Sequence, residues 1–162
     1  MRTDYIDKVE LGHLLAALTP QNRLALEISL ETGLRIGDVL NIRTAQLRDA
    51  KQGRFGVREL KTGKRRSIRL PVELMERALA LAGKVFVFEN RLDWRKARTR
   101  QAVHKDLKRV AKPFRTKENV ASHSARKVYA AEQLRKPGTL ARVQKLLNHA
   151  SAAVTVTSAL DD

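Results

Sequence analysis

TGLRIGDVLNIR, residues 32–43, stops one helix and starts another, with an arginine at the junction. Gly33 suits the left-handed residue that follows a helix end. The sequence upstream agrees. Thr19-Pro20 supplies a cap and a proline at the first helical position. LALEISLET, which follows, carries apolar residues around most of its circumference, so this helix is expected to be central and buried. A short helix, roughly Ile36 to Ile42, is expected next. Arg35 therefore stands where its neighbours can hold its side chain rigidly. Nearer the N-terminus, Asp7 to Leu18 reads as a helix, with Asp7 and Glu10 as a capping box. Leu11, Leu14, Leu15 and Leu18 form its apolar stripe.

Downstream the pattern changes. From about Gln46 to Leu70, Phe55 and Val57 alternate, as do Ile68 and Leu70, around Lys61-Thr62-Gly63-Lys64. This predicts a small antiparallel sheet with a hairpin, ended by Pro71. Val72 to Leu81 reads as helix. Val85 to Phe88 is ambiguous between strand and turn. Thr99 to Ala111 is an amphipathic helix with Val103, Leu107, Val110 and Ala111 on one side and Lys105, Lys108, Arg109 and Lys112 on the other. That basic stripe fits either a solvated face or contacts to phosphates. Ser124 to Arg135 and Thr139 to Leu147 are further helices, divided by Lys136-Pro137-Gly138. No internal repeat, low-complexity segment or linker interrupts the chain. The expected architecture is one domain over residues 1–162, mainly α with a small antiparallel β-sheet.

Composition narrows the partners. A 162-residue chain with 43% hydrophobic residues can build a packed core. No apolar run approaches the ~18 residues that suggest a membrane span, and MRTDYIDKVE has no apolar h-region. Cysteine is absent, which excludes disulfides and thiolate metal sites and fits a reducing, cytoplasmic setting. Thirty-three Lys and Arg against 17 Asp and Glu leave a net charge of +16. Such a surplus implies a polyanionic partner, with nucleic acid the first candidate and an anionic membrane surface the second. The basic residues are spread along the chain rather than gathered in one amphipathic segment, which disfavours the membrane.

Four stretches carry candidate chemistry: TGLRIGDVLNIR; LKTGKRRSIRLP at 60–71, with Lys61 at a hairpin tip; HSAR at 123–126; and LLNHAS at 146–151. His123 and Arg126 are three apart at a helix start and share a face. Two guanidinium forks can grip non-bridging phosphate oxygens and neutralise a pentavalent transition state. Imidazoles can move protons near neutral pH, and a lysine can protonate a leaving alkoxide. There is no acidic cluster to hold magnesium, so metal-free chemistry without a cofactor is expected. Singly, each residue has a plainer reading as a surface, turn or capping group. Their conjunction, order and spacing make the case.

In these four boxes the chain resembles the catalytic domain of the tyrosine recombinase (phage integrase) family, and the resemblance runs from about residue 7 to 160. It implies an α-helical catalytic fold with a small three-stranded sheet, clamped on duplex DNA. It further implies that Arg35 and Arg126 bind the scissile phosphate and that Lys61 is the general acid toward the departing 5′-oxygen. His123 would assist proton transfer, and His149 would hydrogen-bond the phosphate. Two positions depart from the pattern: Lys127 follows the second arginine where His is common, and Asn148 replaces the usual Gly before His149. Lys64, Arg65, Arg100, Lys105, Lys108, Arg109, Lys112 and Lys127 are the expected DNA-binding cations. Other protomers are expected as partners, with the chain a monomer when free and a tetramer on DNA. The family usually carries a core-binding domain ahead of this one. The chain starts almost at the catalytic domain and is expected to lack it, as a fragment or a minimal member.

The family's nucleophile is a tyrosine about nine residues after the third-box histidine. That position is Ser158 here, within TVTSALDD. The two tyrosines, Tyr5 and Tyr129, sit elsewhere. Tyr5 precedes the first helix, and Tyr129, one turn past Arg126, reads as core. A serine is shorter by a ring, and its alkoxide is far less accessible than a phenolate of pKa about 10. A cleavage-dead protein that still binds DNA is the expectation. The alternative is a non-catalytic DNA-binding accessory protein on the same fold. A basic helical RNA-binding protein ranks lower, because only 4% of residues are aromatic and available for base stacking.

Overall fold

The structure, a computed structural model, describes residues 8–113 and 124–136 together with Ala141 and Lys145. Helix α1 (Lys8–Ala17) buries Leu11, Leu14 and Leu15, with Leu18 just beyond, so the expected stripe faces the core. Helix α2 (Pro20–Thr32) has Pro20 in its first turn and ends at Gly33, whose φ of 71° is left-handed and whose N–H donates to the Ser29 carbonyl. Its Leu24, Ala25, Leu26 and Ile28 are almost fully buried, at about 1.5–3 kcal/mol for each large aliphatic side chain. It packs against α1, α3 (Ile36–Leu40), α5 (Val72–Leu81) and α7 (Ser124–Arg135), which makes it the central helix.

Thr19 occupies the N-cap of α2 but makes no capping bond within that helix. Its backbone N–H and its hydroxyl both donate to Asp106 Oδ2, at 3.0 Å each, and Asn22 Nδ2 donates to the same oxygen at 2.7 Å. Asp106 lies on α6 (Arg100–Ala111), so one helix supplies the cap of another. Burial alone would raise the Asp106 carboxyl pKa, but hydrogen bonds from Asn22, Arg109 and Thr19 outweigh it and hold the group below its ordinary value.

Helix α3 stops at Leu40, short of the expected Ile42. The chain there turns to pair with residues 85–87. The Val87 N–H donates to the Ile42 carbonyl, the Thr44 N–H donates to the Val85 carbonyl, and Arg43 bridges Phe86 in antiparallel fashion. The ambiguous run Val85 to Phe88 thus makes one isolated bridge at Phe86 within a bent segment rather than a strand, and Val87 and Phe88 are core. A helix absent from the sequence expectation follows, α4 (Thr44–Arg48), closed at its start by a 2.8 Å bond from the Arg43 N–H to Gln46 Oε1. The sheet therefore begins later than Gln46.

Strands β1 (Arg54–Arg58) and β2 (Arg65–Arg69) are antiparallel, with Phe55 opposite Ile68 and Val57 opposite Arg66. Phe55, Val57 and Ile68 point inward. The sheet has two strands among the described residues, not the three expected. Just before β1 a tight turn carries an isolated bridge between Lys51 and Arg54. Gln52 and Gly53 there are both left-handed, and a Cβ on Gly53 would lie 2.5 Å from the Leu70 carbonyl oxygen. Between α5 and α6 a loop carries Trp94, with Lys84 Nζ 5.0 Å and Arg95 Cζ 5.4 Å from its ring centroid. None of the described helices is long and apolar enough to cross a membrane. The helix expected over Thr139 to Leu147, the Asp7 cap and Tyr5 lie outside the described residues, apart from Ala141 and Lys145, which are helical.

Candidate active site

Arg35 is the N-cap of α3, extended at φ −64° and ψ 146°, between the fully buried Leu34 and Ile36. With both neighbours in the core, its Cα cannot shift without disturbing packing. Its side chain is 22% exposed, and Nη1 lies 3.1 Å from Glu59 Oε2. That same carboxylate oxygen accepts from Thr62 Oγ1 at 2.9 Å. One residue on, the Leu60 N–H donates to Asp38 Oδ1 at 2.9 Å. Two buried carboxylates, one on α3 and one at the end of β1, therefore seat the 59–64 turn beside Arg35. The turn is closed by the Glu59 N–H donating to the Lys64 carbonyl and the Gly63 N–H donating to the Glu59 carbonyl. Lys61 stands exposed at its tip. A concavity of about 400 Å3 is lined by Arg35, Ile36, Gly37, Asp38, Leu60, Lys61 and Arg100.

Arg126 enters from α7 and is 7% exposed. Its pKa is lowered to about 10, first by burial and then by the positive charge of Arg35. Glu59 and Asp38 raise it in part, and Arg66 lowers it further. The chain thus brings Arg35, Arg66 and Arg126 around the carboxylates of Asp38 and Glu59. Asp38 is held above its ordinary pKa, chiefly by burial. The bond from Leu60 opposes this, Glu59 adds to it, and Arg35 and Arg126 oppose it. Asp38 Oδ2, Glu59 Oε1 and Arg66 Nη1 are buried with no hydrogen-bond partner among the described residues.

Of the residues singled out from sequence, Arg35 and Lys61 share one concavity with Arg100, and Arg126 lies within electrostatic reach of Arg35. Lys64 and Arg65 are exposed on the hairpin, and Lys105, Lys108 and Lys112 are exposed on or just beyond α6. Arg109 is turned back on its own helix, with Nη2 2.6 Å from Asp106 Oδ1. Lys127 is half-buried on α7. Tyr129 is core as expected, 8% exposed, and its hydroxyl also meets Arg66. His123, His149 and Ser158 lie outside the described residues.

Sequence reasoning missed Asp38, Glu59 and Arg66. A signal existed for two of them. Phe55, Val57 and Glu59 continue one alternation, which places Glu59 on the inward face. Asp38 lies three residues past Arg35, one helical turn on. Arrayed this way, the arginines offer paired N–H donors in a partly dehydrated setting, which suits a tetrahedral or pentavalent phosphate group.

The sequence profile of the phage integrase family matches residues 4–158. No curated protein matches the chain by sequence. Among solved structures it resembles XerA recombinase, with a TM-score of 0.75 and 20% identity over 98% of this chain and 60% of that one. It also resembles a lambda integrase dimer bound to a COC′ core site, with a TM-score of 0.81 and 20% identity over 99% of this chain and 49% of that one. A third likeness is to the catalytic domain of bacteriophage HP1 integrase, with a TM-score of 0.67 and 16% identity over 97% of this chain and 87% of that one. At such identities the likeness speaks to the fold. The chain spans 60% of the XerA chain and 49% of the XerH chain it matches.

Proposed function

Because the chain belongs to the phage integrase family, we propose that it is the catalytic domain of a site-specific DNA recombinase, in a form that binds duplex DNA without cleaving it. In this reading Arg35 and Arg126 grip the non-bridging oxygens of one scissile phosphate. Lys61 protonates the departing 5′-oxygen, His123 assists proton transfer and His149 hydrogen-bonds the phosphate. The observation that supports it best is the convergence of two guanidinium groups from distant parts of the chain, close enough for Arg35 to depress the pKa of Arg126. Three arginines share only the carboxylates of Asp38 and Glu59, which leaves positive charge there for an anion to receive. Arg100 extends the phosphate track. Lys64, Arg65, Lys105, Lys108, Arg109, Lys112 and Lys127 add contacts to neighbouring phosphates, with Arg109 sharing its charge with Asp106.

Ser158 favours a second reading. In an active member, tyrosine attacks phosphorus, the 5′-oxygen leaves with a proton, and a 3′-phosphotyrosyl link holds the broken strand. With serine there, no such link forms, and the alternative reading is an accessory protein that binds DNA on the same fold. The XerH and lambda integrase structures it resembles are described as bound to DNA, the latter as a dimer on a core site and as a tetramer on a Holliday junction. We extend to this chain both duplex DNA and further protomers as partners.

The deciding experiment compares the Ser158 protein with Ser158→Tyr on a nicked duplex carrying the cognate site, resolved on a denaturing gel. A recombinase domain gives an adduct only with tyrosine, in the absence of added metal. An adduct with the serine protein would show that another residue attacks. No adduct with tyrosine on a site that the protein demonstrably binds would favour the accessory reading.

A further inference from the structure

Arg66 takes no part in the phosphate chemistry above, yet it touches the root of both arginines that do. It leaves β2 opposite Val57 and is half-buried between the exposed Arg65 and Ser67. One Nη donates to the carbonyl of Thr32, the last residue of α2, three residues before Arg35. The same guanidinium lies within electrostatic reach of the hydroxyl of Tyr129, one helical turn beyond Arg126. A guanidinium is a rigid plane with donors on fixed edges, so once one edge is bonded the group facing another edge is met at a set distance.

We propose that Arg66 is a positioning residue: anchored on the Thr32 carbonyl and set buried between the end of α2 and the Tyr129 hydroxyl of α7, it fixes the separation of Arg35 and Arg126, so that two mutually repelling guanidiniums stay near enough to share one phosphate. Glu59 complements it. That carboxylate is 1% exposed, binds Arg35 directly and holds Thr62 in the turn that carries Lys61. The two flanks of one hairpin thus set the arginine pair and the lysine together, and displacement of the hairpin displaces all three. Burial of Arg66, which lowers its pKa despite help from Tyr129, Glu59 and Asp38, is a cost that a surface strand arginine would not carry. The proposal rests on the phosphate-gripping reading for its purpose, though not for its geometry.

The test uses the full chain with Ser158, labelled with 15N, and reads hydrogen exchange at arginine Nε–H groups. Arg66→Lys keeps the charge and loses the fork; Tyr129→Phe removes only the hydroxyl. Both should speed exchange at Arg35 and Arg126 by about tenfold or more, as local opening does. Arg98, whose Nε donates to Asn22 Oδ1 at 2.7 Å, should be unchanged in both. Unchanged exchange at Arg35 and Arg126 would overturn the proposal. Faster exchange at all three arginines would also overturn it, by showing general loosening. Duplex-DNA affinity at low salt then separates the brace from its purpose. Arg35→Ala should weaken binding in the parent and add little in the Arg66→Lys background. If Arg35→Ala leaves the parent's affinity intact, the phosphate grip falls, and the exchange result alone still decides the brace.

Discussion

Arg126 keeps 7% of its surface exposed and shares its surroundings with Arg35 and Arg66, which together with burial bring its pKa down to about 10. Its ordinary value lies higher, so the folded protein gives up this proton more readily than the unfolded chain does. Carrying the charge therefore costs stability at every pH below about 10, and the cost is relieved as pH rises through that value. An anion seated between the arginines removes the same cost. Arg126→Met is thus expected to hold or raise the melting temperature in phosphate-free buffer while weakening duplex binding. Adding inorganic phosphate should raise the melting temperature of the parent and leave the variant nearly unmoved. Thermal melts of both proteins with and without phosphate check this, and equal shifts would sink the explanation. Asp38 follows the opposite sign. Its raised pKa means that ionisation is disfavoured in the fold, so its contribution to stability falls as pH rises above the ordinary carboxylate range.

At the scale of elements, the join between α2 and α6 runs through Asp106, which accepts from Thr19 and Asn22 with one oxygen and from Arg109 with the other. Asp106→Asn removes the charge and turns one acceptor into a donor facing N–H groups. A loss of about 2–3 kcal/mol is expected, the scale of hydrogen bonds to charged groups, read as a lower urea midpoint at pH 7. Because the folded pKa lies below the ordinary 3.8, the parent should lose the same stabilisation as pH falls through that folded value, and the variant should not. Helix α2 is legible in the sequence because both its ends are marked, by Pro20 and Gly33. So are α5, which follows Pro71, and α6, whose Thr99 side chain accepts from the Ala102 N–H. Helix α4 is not legible, because its start rests on Arg43 and Gln46, residue types that rarely announce a cap. The close approach of Gly53 to Leu70 at the Gln52-Gly53 turn is not legible either, since only the fold creates it. At the site, Arg35, Lys61 and Arg126 stand out by motif. Glu59 is marked only by continuing the alternation of Phe55 and Val57, and Arg66 is not marked at all, because charge is everywhere in this chain and only burial distinguishes it.

The whole molecule carries +16, and the exposed cations of the hairpin and α6 give that surplus a surface. Binding to duplex DNA should weaken steeply with salt. For a protein making about six phosphate contacts or more, affinity falls on the order of 10^3 between about 50 and 200 mM salt. Salt-independent binding would argue against a phosphate-tracking surface altogether. The molecule also supplies the means to watch this happen. It has one tryptophan, Trp94, with an ammonium and a guanidinium close to its ring, on a loop that leads within a few residues to Arg100 at the concavity. Nearby cations shift the energy of an indole's excited state, and a polyanion that draws Lys84 or Arg95 away changes that local field. The native chain is therefore its own optical probe: its emission should shift on docking to duplex DNA, return as salt is added, and report arrival at the site without any attached dye.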